Sequence, residues 1–400
     1  MEAVLMKHIG YLLLVLLLIV PAAASPSLDV DSSQEEGISS GNDQARTLLA
    51  GGILATLRGE GPGIDLLMDA AQLYPEYPRA ITDSADRTVI LYRHPSRIIA
   101  MNSDAADALS VIGMVESIVG VGHVVVGSPL RFPDLFNLQN VGKYNEPDIE
   151  AILALNPDMV VTYGQWPEPE KLDRHLPERI TIVRIDLFRA ETYRSEMESI
   201  AYLLGETRES RAYLAWYDEM HTLVADRIAA IPEEERIRVF IDYGQGRSVG
   251  RRTMSAGTGM DSLVVAAGGV NVAADYVSGY ADVENEWVMK ENPDVILIHS
   301  PKAGYVLEEK DVLKEAYQDL VSMPGFGRIS AVADDRVYVV TSSFGFGSPS
   351  PAALVRVASW LYPDHFSDID PDAIHQDYLS RFTRSDPLVR TGGAFYYPVD

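Results

Sequence analysis

Aromatic side chains follow several of the predicted strands, at the points where those strands end. The rings are Tyr163, Trp166, Tyr243, Phe344 and Phe346, with Tyr144 and Tyr276 in neighbouring loops. Ligands of α/β proteins bind beyond the carboxyl ends of parallel strands, and aromatic rings offer a large contact area with few torsions to freeze. The pattern therefore predicts a binding cleft with aromatic walls. Any single ring could instead pack against the edge of a lobe, so the prediction rests on the group.

Polar side chains in the same loops could contact the ligand as well. Lys143, Arg251 and Arg252 could balance the charge of an anionic ligand, and Asn102 and Gln165 could donate hydrogen bonds. Together with the aromatic rings, these five residues complete the predicted ligand-binding set. We predict no catalytic residue, no resident metal and no cofactor.

Two histidines keep a different kind of site open. His123 and His299 each follow a predicted strand, so imidazole ligands from the two halves of the chain could hold a transition metal directly. A bare cation would also need converging Asp or Glu side chains. Because exposed histidines and hydrogen-bonded buried ones are common, direct metal binding stays the alternative interpretation.

Composition and missing motifs exclude several function classes. The 400 residues include 58 Asp and Glu against 33 Lys and Arg, a formal net charge of −25, which disfavours nonspecific binding to nucleic acid. Cysteine is absent from the sequence, which excludes disulfides, thiolate metal sites and a lipid-modified cysteine anchor. The phosphate-loop and His-Glu-x-x-His motifs do not occur.

The N-terminus has the pattern of an export signal. Lys7 and His8 precede an apolar run over 9–20, and Ala22-x-Ala24 follows. This pattern predicts a signal peptide or an uncleaved anchor over residues 1–24, with the rest of the chain outside the cytoplasm. Residues 25–78 read as a polar linker followed by a helical extension.

From residue 79 the sequence indicates two α/β lobes. Short β-branched runs alternate with helical stretches, which favours parallel sheets covered by helices. We predict an N-terminal lobe over 79–190, bridging helices over 191–232 with a break near Gly205, a C-terminal lobe over 233–382 and a C-terminal tail over 383–400.

An internal repeat supports the two-lobe organisation. Asn156-Pro157-Asp158 and Asn292-Pro293-Asp294 lie 136 positions apart, and a glutamate, Glu150 or Glu286, precedes each with the same spacing. Because the residue before proline is pushed out of the α region, each copy predicts a helix that ends at Asn and a buried strand that starts after Asp.

These segments resemble the substrate-binding proteins of ABC importers for vitamin B12, haem and iron–siderophore complexes. The resemblance runs from about Arg79 to Phe382 and is carried by Asp83–Val89, Arg97–Asn102, Val119–Val121, both Asn-Pro-Asp copies and Gly257–Asn271. It implies two Rossmann-like lobes with parallel sheets, one long connecting helix and a ligand cleft between the lobes. It also implies that Glu150 and Glu286 contact arginines of the permease, although an acid in the first turn of a helix is favoured by the helix dipole in any case.

The sequence thus predicts an extracytoplasmic solute-binding protein. Its ligand would be a metal chelate (an iron–siderophore, corrinoid or haem), and its partners would be the permease and ATPase of an importer. Contact with the membrane would be through the N-terminal segment or the permease alone, with the protein at the outer face of the cytoplasmic membrane or in a periplasm-like space. A direct transition-metal or oxyanion binder on the same scaffold and an exported α/β enzyme are the alternatives.

Overall fold

The structure is a computed structural model and describes residues 77–205, 207–244, 246, 248, 250–306, 311–385 and 387–398. The predicted signal segment over 1–24 and nearly all of the extension over 25–78 lie outside these residues. In the part of the chain that the structure describes, no helix combines the length and the apolar character that a membrane crossing requires.

The elements alternate between strands and helices in both halves of the chain. The N-terminal half contains β1 (Arg79–Thr82), β2 (Thr88–Leu91), β3 (Ile98–Ala100), α1 (Ser103–Val111), β4 (Ile118–Val121), α2 (His123–Val126), β5 (Gln139–Asn140), β6 (Gly142–Lys143), β7 (Glu146–Pro147), α3 (Ile149–Ala154), β8 (Met159–Thr162) and β9 (Thr181–Arg184). Two helices follow, α4 (Ala190–Leu203) and α5 (Arg208–Ile228). The C-terminal half contains β10 (Arg238–Asp242), β11 (Arg251–Met254), α6 (Gly259–Ala266), β12 (Val270–Asn271), β13 (Tyr280–Val283), α7 (Asn285–Glu291), β14 (Val295–Ser300), α8 (Val312–Val321), α9 (Ser330–Ala333), β15 (Val337–Thr341), α10 (Ser342–Gly345), α11 (Ser350–Leu361), α12 (Pro371–Arg381), α13 (Pro387–Gly392) and β16 (Tyr396–Tyr397).

Each half has its own five-stranded sheet. The N-terminal sheet has the order β5-β4-β3-β8-β9, with every neighbouring pair parallel. The C-terminal sheet has the order β12-β10-β14-β15-β16, parallel except for the last pair. All residues of β3, β8 and β14 are buried, as expected for strands covered by helices on both faces. The predicted class, α/β with two lobes and parallel sheets, is confirmed.

The C-terminal tail predicted over 383–400 is only partly a tail. Tyr396 and Tyr397 form β16, which pairs antiparallel with Val340 and Val339 at the edge of the C-terminal sheet. A two-residue strand is too short to give a periodic signal in the sequence, so the boundary at residue 382 separates one strand from its own lobe.

The two predicted bridging helices are present. α4 ends before Gly205, which has a φ of +105°, and Thr207 then caps α5 by accepting a hydrogen bond from the Ser210 amide at 2.9 Å. With 21 residues, α5 is about 30 Å long at 1.5 Å per residue. The Thr207 hydroxyl also donates to the Ile112 carbonyl at the end of α1, and the buried Tyr213 hydroxyl donates to the Ser348 carbonyl before α11. The helix is therefore hydrogen-bonded to both lobes.

The Asn-Pro-Asp repeat gives the same local structure twice. Asn156 and Asn292 adopt left-handed backbone angles with φ of 44° and 45°, so each helix stops there and a buried strand begins after the aspartate.

Each aspartate of the repeat also joins its strand to a preceding arginine. Asp158 donates its amide to the Arg97 carbonyl and accepts the Arg97 amide on its side chain, at 2.8 and 3.1 Å. Asp294 makes the same two bonds with Arg238, both at 2.9 Å. Both arginine side chains then donate to carbonyls at the end of the preceding helix. The predicted internal repeat is therefore a structural repeat of the two lobes.

Candidate functional site

A cavity of about 630 Å³ lies between the two lobes, at the carboxyl ends of their strands. The N-terminal lobe contributes residues that follow β3, α2, β6, β8 and β9: Ser103, Asp104, Ser128, Arg131, Tyr144, Tyr163, Gln165, Trp166, Asp186, Phe188 and Arg189. The C-terminal lobe contributes residues that follow β14 and β15: Pro301, Ala303, Tyr305, Val306, Ser342, Ser343 and Phe346. The position agrees with the rule that ligands of open α/β sheets bind beyond the strand ends.

Aromatic rings form much of the wall. Tyr163 packs edge-on against Tyr144 and Phe188, with ring centroids 5.5 and 5.6 Å apart. Trp166 leaves 45% of its surface exposed next to this cluster, although it lies in the cavity lining. An exposed indole at a cavity wall can gain buried area when a ligand binds.

A short hydrogen-bonded turn holds the loop after β8. The Thr162 hydroxyl donates to the Trp166 carbonyl at 2.9 Å. Gly164 donates its amide to the Asp186 carboxylate at 2.8 Å, and a Cβ at this glycine would lie 3.0 Å from the same carboxylate oxygen. The close approach explains why a glycine stands between Tyr163 and Gln165, and it ties this loop to the loop after β9.

Two carboxylates lie behind the aromatic wall. Asp104 accepts a hydrogen bond from the Tyr163 hydroxyl at 2.5 Å. Burial raises the pKa of Asp104 to about 6, and the Tyr163 hydroxyl and the nearby Arg131 oppose that shift. Asp107, one helical turn further along α1, forms an ion pair with Arg131, and burial raises its pKa as well.

Arg131 joins the two lobes at the cavity. Its guanidinium lies over the Tyr305 ring of the C-terminal lobe, 5.1 Å from the ring centroid. The same guanidinium forms an ion pair with Asp107 of the N-terminal lobe. At the other rim, Arg189 pairs with Asp186 at 3.0 Å.

The loop after β9 has an unusual backbone conformation. Leu187 has a φ of +56°, which is costly for a residue with a side chain. Glu196 of α4 accepts the Leu187 amide at 2.7 Å and the Ser84 hydroxyl at 2.8 Å. These bonds hold the backbone so that the next residue, Phe188, lines the cavity.

Of the twelve predicted ligand-binding residues, five line the cavity: Tyr144, Tyr163, Gln165, Trp166 and Phe346. Asn102 lies beside the cavity lining but is buried, and its side-chain oxygen caps α1 by accepting the Ala105 amide at 2.8 Å. Lys143 points to solvent and pairs with Glu146 at 2.9 Å. Whether the five residues bind the ligand stays a prediction.

Three predicted aromatic residues are placed away from the lining. Phe344 is fully buried, with its ring 5.2 Å from that of Tyr396, because the helical turn of α10 points it into the core while Phe346 faces the cavity. Tyr243 stacks on His299 at 4.9 Å, and Tyr276 stacks on the Trp287 ring at 4.3 Å.

The two predicted cations of the C-terminal lobe, Arg251 and Arg252, form ion pairs with carboxylates outside the cavity lining. Arg251 is buried and donates two hydrogen bonds to Asp242, at 2.7 and 2.5 Å, and a third to Asp319. Arg252 pairs with Asp282 at 3.0 Å. Neither lines the cavity, where the arginines of the described lining are Arg131 and Arg189.

The histidine pair does not form a metal site. His299 is buried against Tyr243 and makes a 2.8 Å hydrogen bond with Ser342, and burial lowers its pKa to about 4. His123 begins α2 and is exposed. Among the residues that the structure describes, no group of three or more His, Asp or Glu side chains is arranged to hold a metal ion.

Glu150 and Glu286 occupy equivalent places in the two lobes. Each is the second residue of its helix, α3 or α7, and each is exposed to solvent. The geometry is compatible both with helix-dipole stabilisation and with contact to a partner's arginine.

The sequence did not lead us to predict the charged side chains that line the cavity. Asp104, Arg131, Asp186 and Arg189 were not predicted, although Asp104 lies four residues beyond the end of β3, in the first turn of α1. Asp186 also lies just beyond a predicted strand, so position alone could have indicated both carboxylates. Arg131 lies in a loop without a strand in front of it, and nothing in its local sequence marks it.

The comparisons with known proteins agree with this architecture. The model of a family described as periplasmic binding protein matches residues 98–343. The molybdate-binding protein MolA of Haemophilus influenzae is 25% identical over 346 residues, covering 77% of this chain and 91% of that protein. Its solved structure with molybdate has a TM-score of 0.62 at 24% identity, covering 77% of this chain and 98% of that chain.

Two further proteins are similar to this chain. The TroA-like periplasmic binding protein FepB from Veillonella parvula has a TM-score of 0.66 at 21% identity, covering 81% of this chain and 100% of that chain. A cobalamin-binding protein of Halobacterium salinarum strain R1 is 25% identical over 228 residues, which cover 55% of this chain and 58% of that protein. These relatives are named as binding proteins.

Proposed function

The chain belongs to the periplasmic binding protein family and binds a substrate outside the cytoplasm, and we propose that this substrate is an organic metal chelate that the protein delivers to an ABC importer. An iron–siderophore, a corrinoid or a haem belongs to this class. The protein makes and breaks no covalent bond in this process.

The size and the walls of the interlobe cavity carry the proposal. Its volume of about 630 Å³ is roughly twenty times the ~30 Å³ that one water molecule takes up in the liquid. A bare metal ion or a small oxyanion would leave most of that space filled with water. An organic chelate instead fills a cavity of this size and can pack on Trp166, Phe188 and Phe346.

An oxyanion is the second candidate, since the relative MolA is named for binding molybdate. An oxyanion site needs cationic or N–H donors that are free to point at the anion. Arg131 and Arg189, which line the cavity, are paired with Asp107 and Asp186 instead. The arrangement therefore favours the chelate.

Delivery to the importer would use one exposed glutamate from each lobe. Glu150 and Glu286 lie at equivalent positions of the structural repeat, so two permease arginines could form charge-assisted bonds with both lobes at once. The importer's ATPase would then drive release. An uncleaved segment over 1–24 would hold the protein at the outer face of the membrane.

Titration calorimetry on the purified full chain tests the proposal. The probes are a ferric trihydroxamate siderophore, cyanocobalamin, haem and sodium molybdate. We expect one of the three chelates to bind at one molecule per chain with a Kd on the order of 1 μM or tighter. Binding of molybdate alone would support the oxyanion candidate, and chemical change of any probe would support an enzyme.

A further inference from the structure

The arginines at the cavity are already paired within the protein. Among the described residues, four charged side chains line it: Asp104, Arg131, Asp186 and Arg189. Arg131 forms its ion pair with Asp107, and both side chains are only 15% exposed. Arg189 forms its ion pair with Asp186, whose side chain is 9% exposed. Both guanidinium groups of the lining are thus neutralised before any ligand arrives.

One carboxylate remains after these pairs are formed. Asp104 accepts its hydrogen bond from the neutral hydroxyl of Tyr163 rather than from a cation. The two arginines and the three carboxylates Asp104, Asp107 and Asp186 therefore leave an excess of one negative charge. Burial raises the pKa of both Asp104 and Asp107, which indicates surroundings where further negative charge is poorly solvated.

The other described residues of the lining do not offset this excess of negative charge. Lysine and histidine do not occur among the described residues that line the cavity, and the other polar members are serines, tyrosines and one glutamine. The faces of the aromatic rings are the negative ends of their quadrupoles, so they attract cations rather than anions. A multiply charged anion would therefore meet an excess of negative charge at the described lining.

We propose that the cavity selects metal chelates with a net charge of zero or above and discriminates against multiply anionic chelates and free oxyanions. This inference rests on the proposed function and narrows its substrate class. A ferric ion bound by hydroxamate groups, each with one negative charge, forms a complex with no net charge when three groups bind. The corresponding complex with catecholates, each with two negative charges, has a net charge of minus three.

The test compares these two ferric complexes on the full chain by tryptophan fluorescence quenching at low and high salt. We expect the trihydroxamate to bind at least ~10-fold more tightly than the tricatecholate at low salt, because like charges oppose each other across a binding site. The difference should shrink as salt screens the repulsion. Equal or tighter binding of the tricatecholate at low salt would overturn the inference.

Substitutions at the cavity test whether the charge of the ligand, rather than its shape, determines its affinity. Asp186→Asn removes one negative charge at the lining and frees Arg189, while its amide oxygen can still accept the Gly164 amide. We expect it to increase affinity for the tricatecholate by ~3-fold or more. Asp107→Asn, which frees Arg131, should act in the same direction. Should Asp107→Asn fail to fold, Asp186→Asn alone decides the question.

Asp218→Asn is the matched control. It changes the net charge by the same amount but breaks an exposed ion pair between α5 and Arg194 of α4, away from the cavity lining. Affinity for the tricatecholate should not change in this variant. An equal gain in the Asp218 and Asp186 variants would trace the effect to overall charge and overturn the inference. If only anionic chelates bind, the proposed function stands and this inference fails; if no chelate binds, both fail.

Discussion

Glu196 controls the shape of the cavity rim from the helix behind it. Its carboxylate accepts the Leu187 amide at 2.7 Å and the Ser84 hydroxyl at 2.8 Å, and the residue is only 9% exposed. The left-handed backbone at Leu187 then directs Phe188 into the lining, where its ring packs edge-on against Tyr163. Loss of this carboxylate should therefore affect both stability and ligand binding.

The size of the effect follows from the bonds that are lost. Hydrogen bonds to a charged group contribute about 1.5–3 kcal/mol each, so the loss of two such bonds in Glu196→Ala should lower the free energy of unfolding by about 3–6 kcal/mol. Without the carboxylate, the left-handed conformation at Leu187, which costs about 1–2 kcal/mol, is no longer held in place. We expect Phe188 to leave the lining and chelate affinity to fall by about 10-fold.

Urea unfolding followed by circular dichroism measures the stability, and titration calorimetry with the chelate that binds measures the affinity. Glu196→Gln keeps an acceptor for the Leu187 amide and should lose less than half as much stability. Glu198→Ala is the matched control on the same helix, since Glu198 is exposed and pairs only at the surface with Arg194. The reasoning is refuted if the Glu196 and Glu198 alanine variants have the same stability and the same affinity.

Three further predictions concern the cavity and its partner. Trp166→Ala should weaken chelate binding by about 10-fold or more in a calorimetric titration, because an indole that is 45% exposed loses its packing on the ligand; unchanged affinity would remove Trp166 from the site. Burial raises the pKa of Asp104 from 3.8 to about 6, so its ionised form destabilises the fold above pH 6. Asp104→Asn should therefore raise the free energy of unfolding at pH 7.5 by up to about 3 kcal/mol, with the gain vanishing as the pH falls from 6 to below 4; a gain that persists in acid would contradict this. The double variant Glu150→Ala/Glu286→Ala should keep its chelate affinity but lose chelate uptake in vesicles that contain the importer, and retained uptake would exclude this docking role.

The fold could be predicted because its signals are local. Asn156 and Asn292 stop their helices for the same steric reason, and each is followed by a strand that is buried throughout. The break at Gly205 and the apolar spacing of the second bridging helix gave the connection between the lobes in the same way. Such signals need only a few neighbouring residues, so the sequence alone displays them.

The site was only partly predictable because its contacts are long-range. Phe344 and Phe346 follow the same strand, yet a single helical turn sends one into the core and the other to the cavity. Arg251 could have been a cation that contacts the ligand, but it pairs with the buried Asp242, nine residues earlier at the end of β10. Phe188 lines the cavity because of a bond between Leu187 and Glu196, and no spacing rule predicts that contact.

The central claim is that one chelate is held between the two lobes, in contact with both. A crystal structure of the full chain with the bound ferric chelate, using the anomalous signal of iron, tests it most directly. The account predicts a single iron peak inside the cavity, with the chelate packed on Trp166 from one lobe and on Phe346 from the other. An iron peak on the outer surface, or a chelate that contacts one lobe alone, would contradict it.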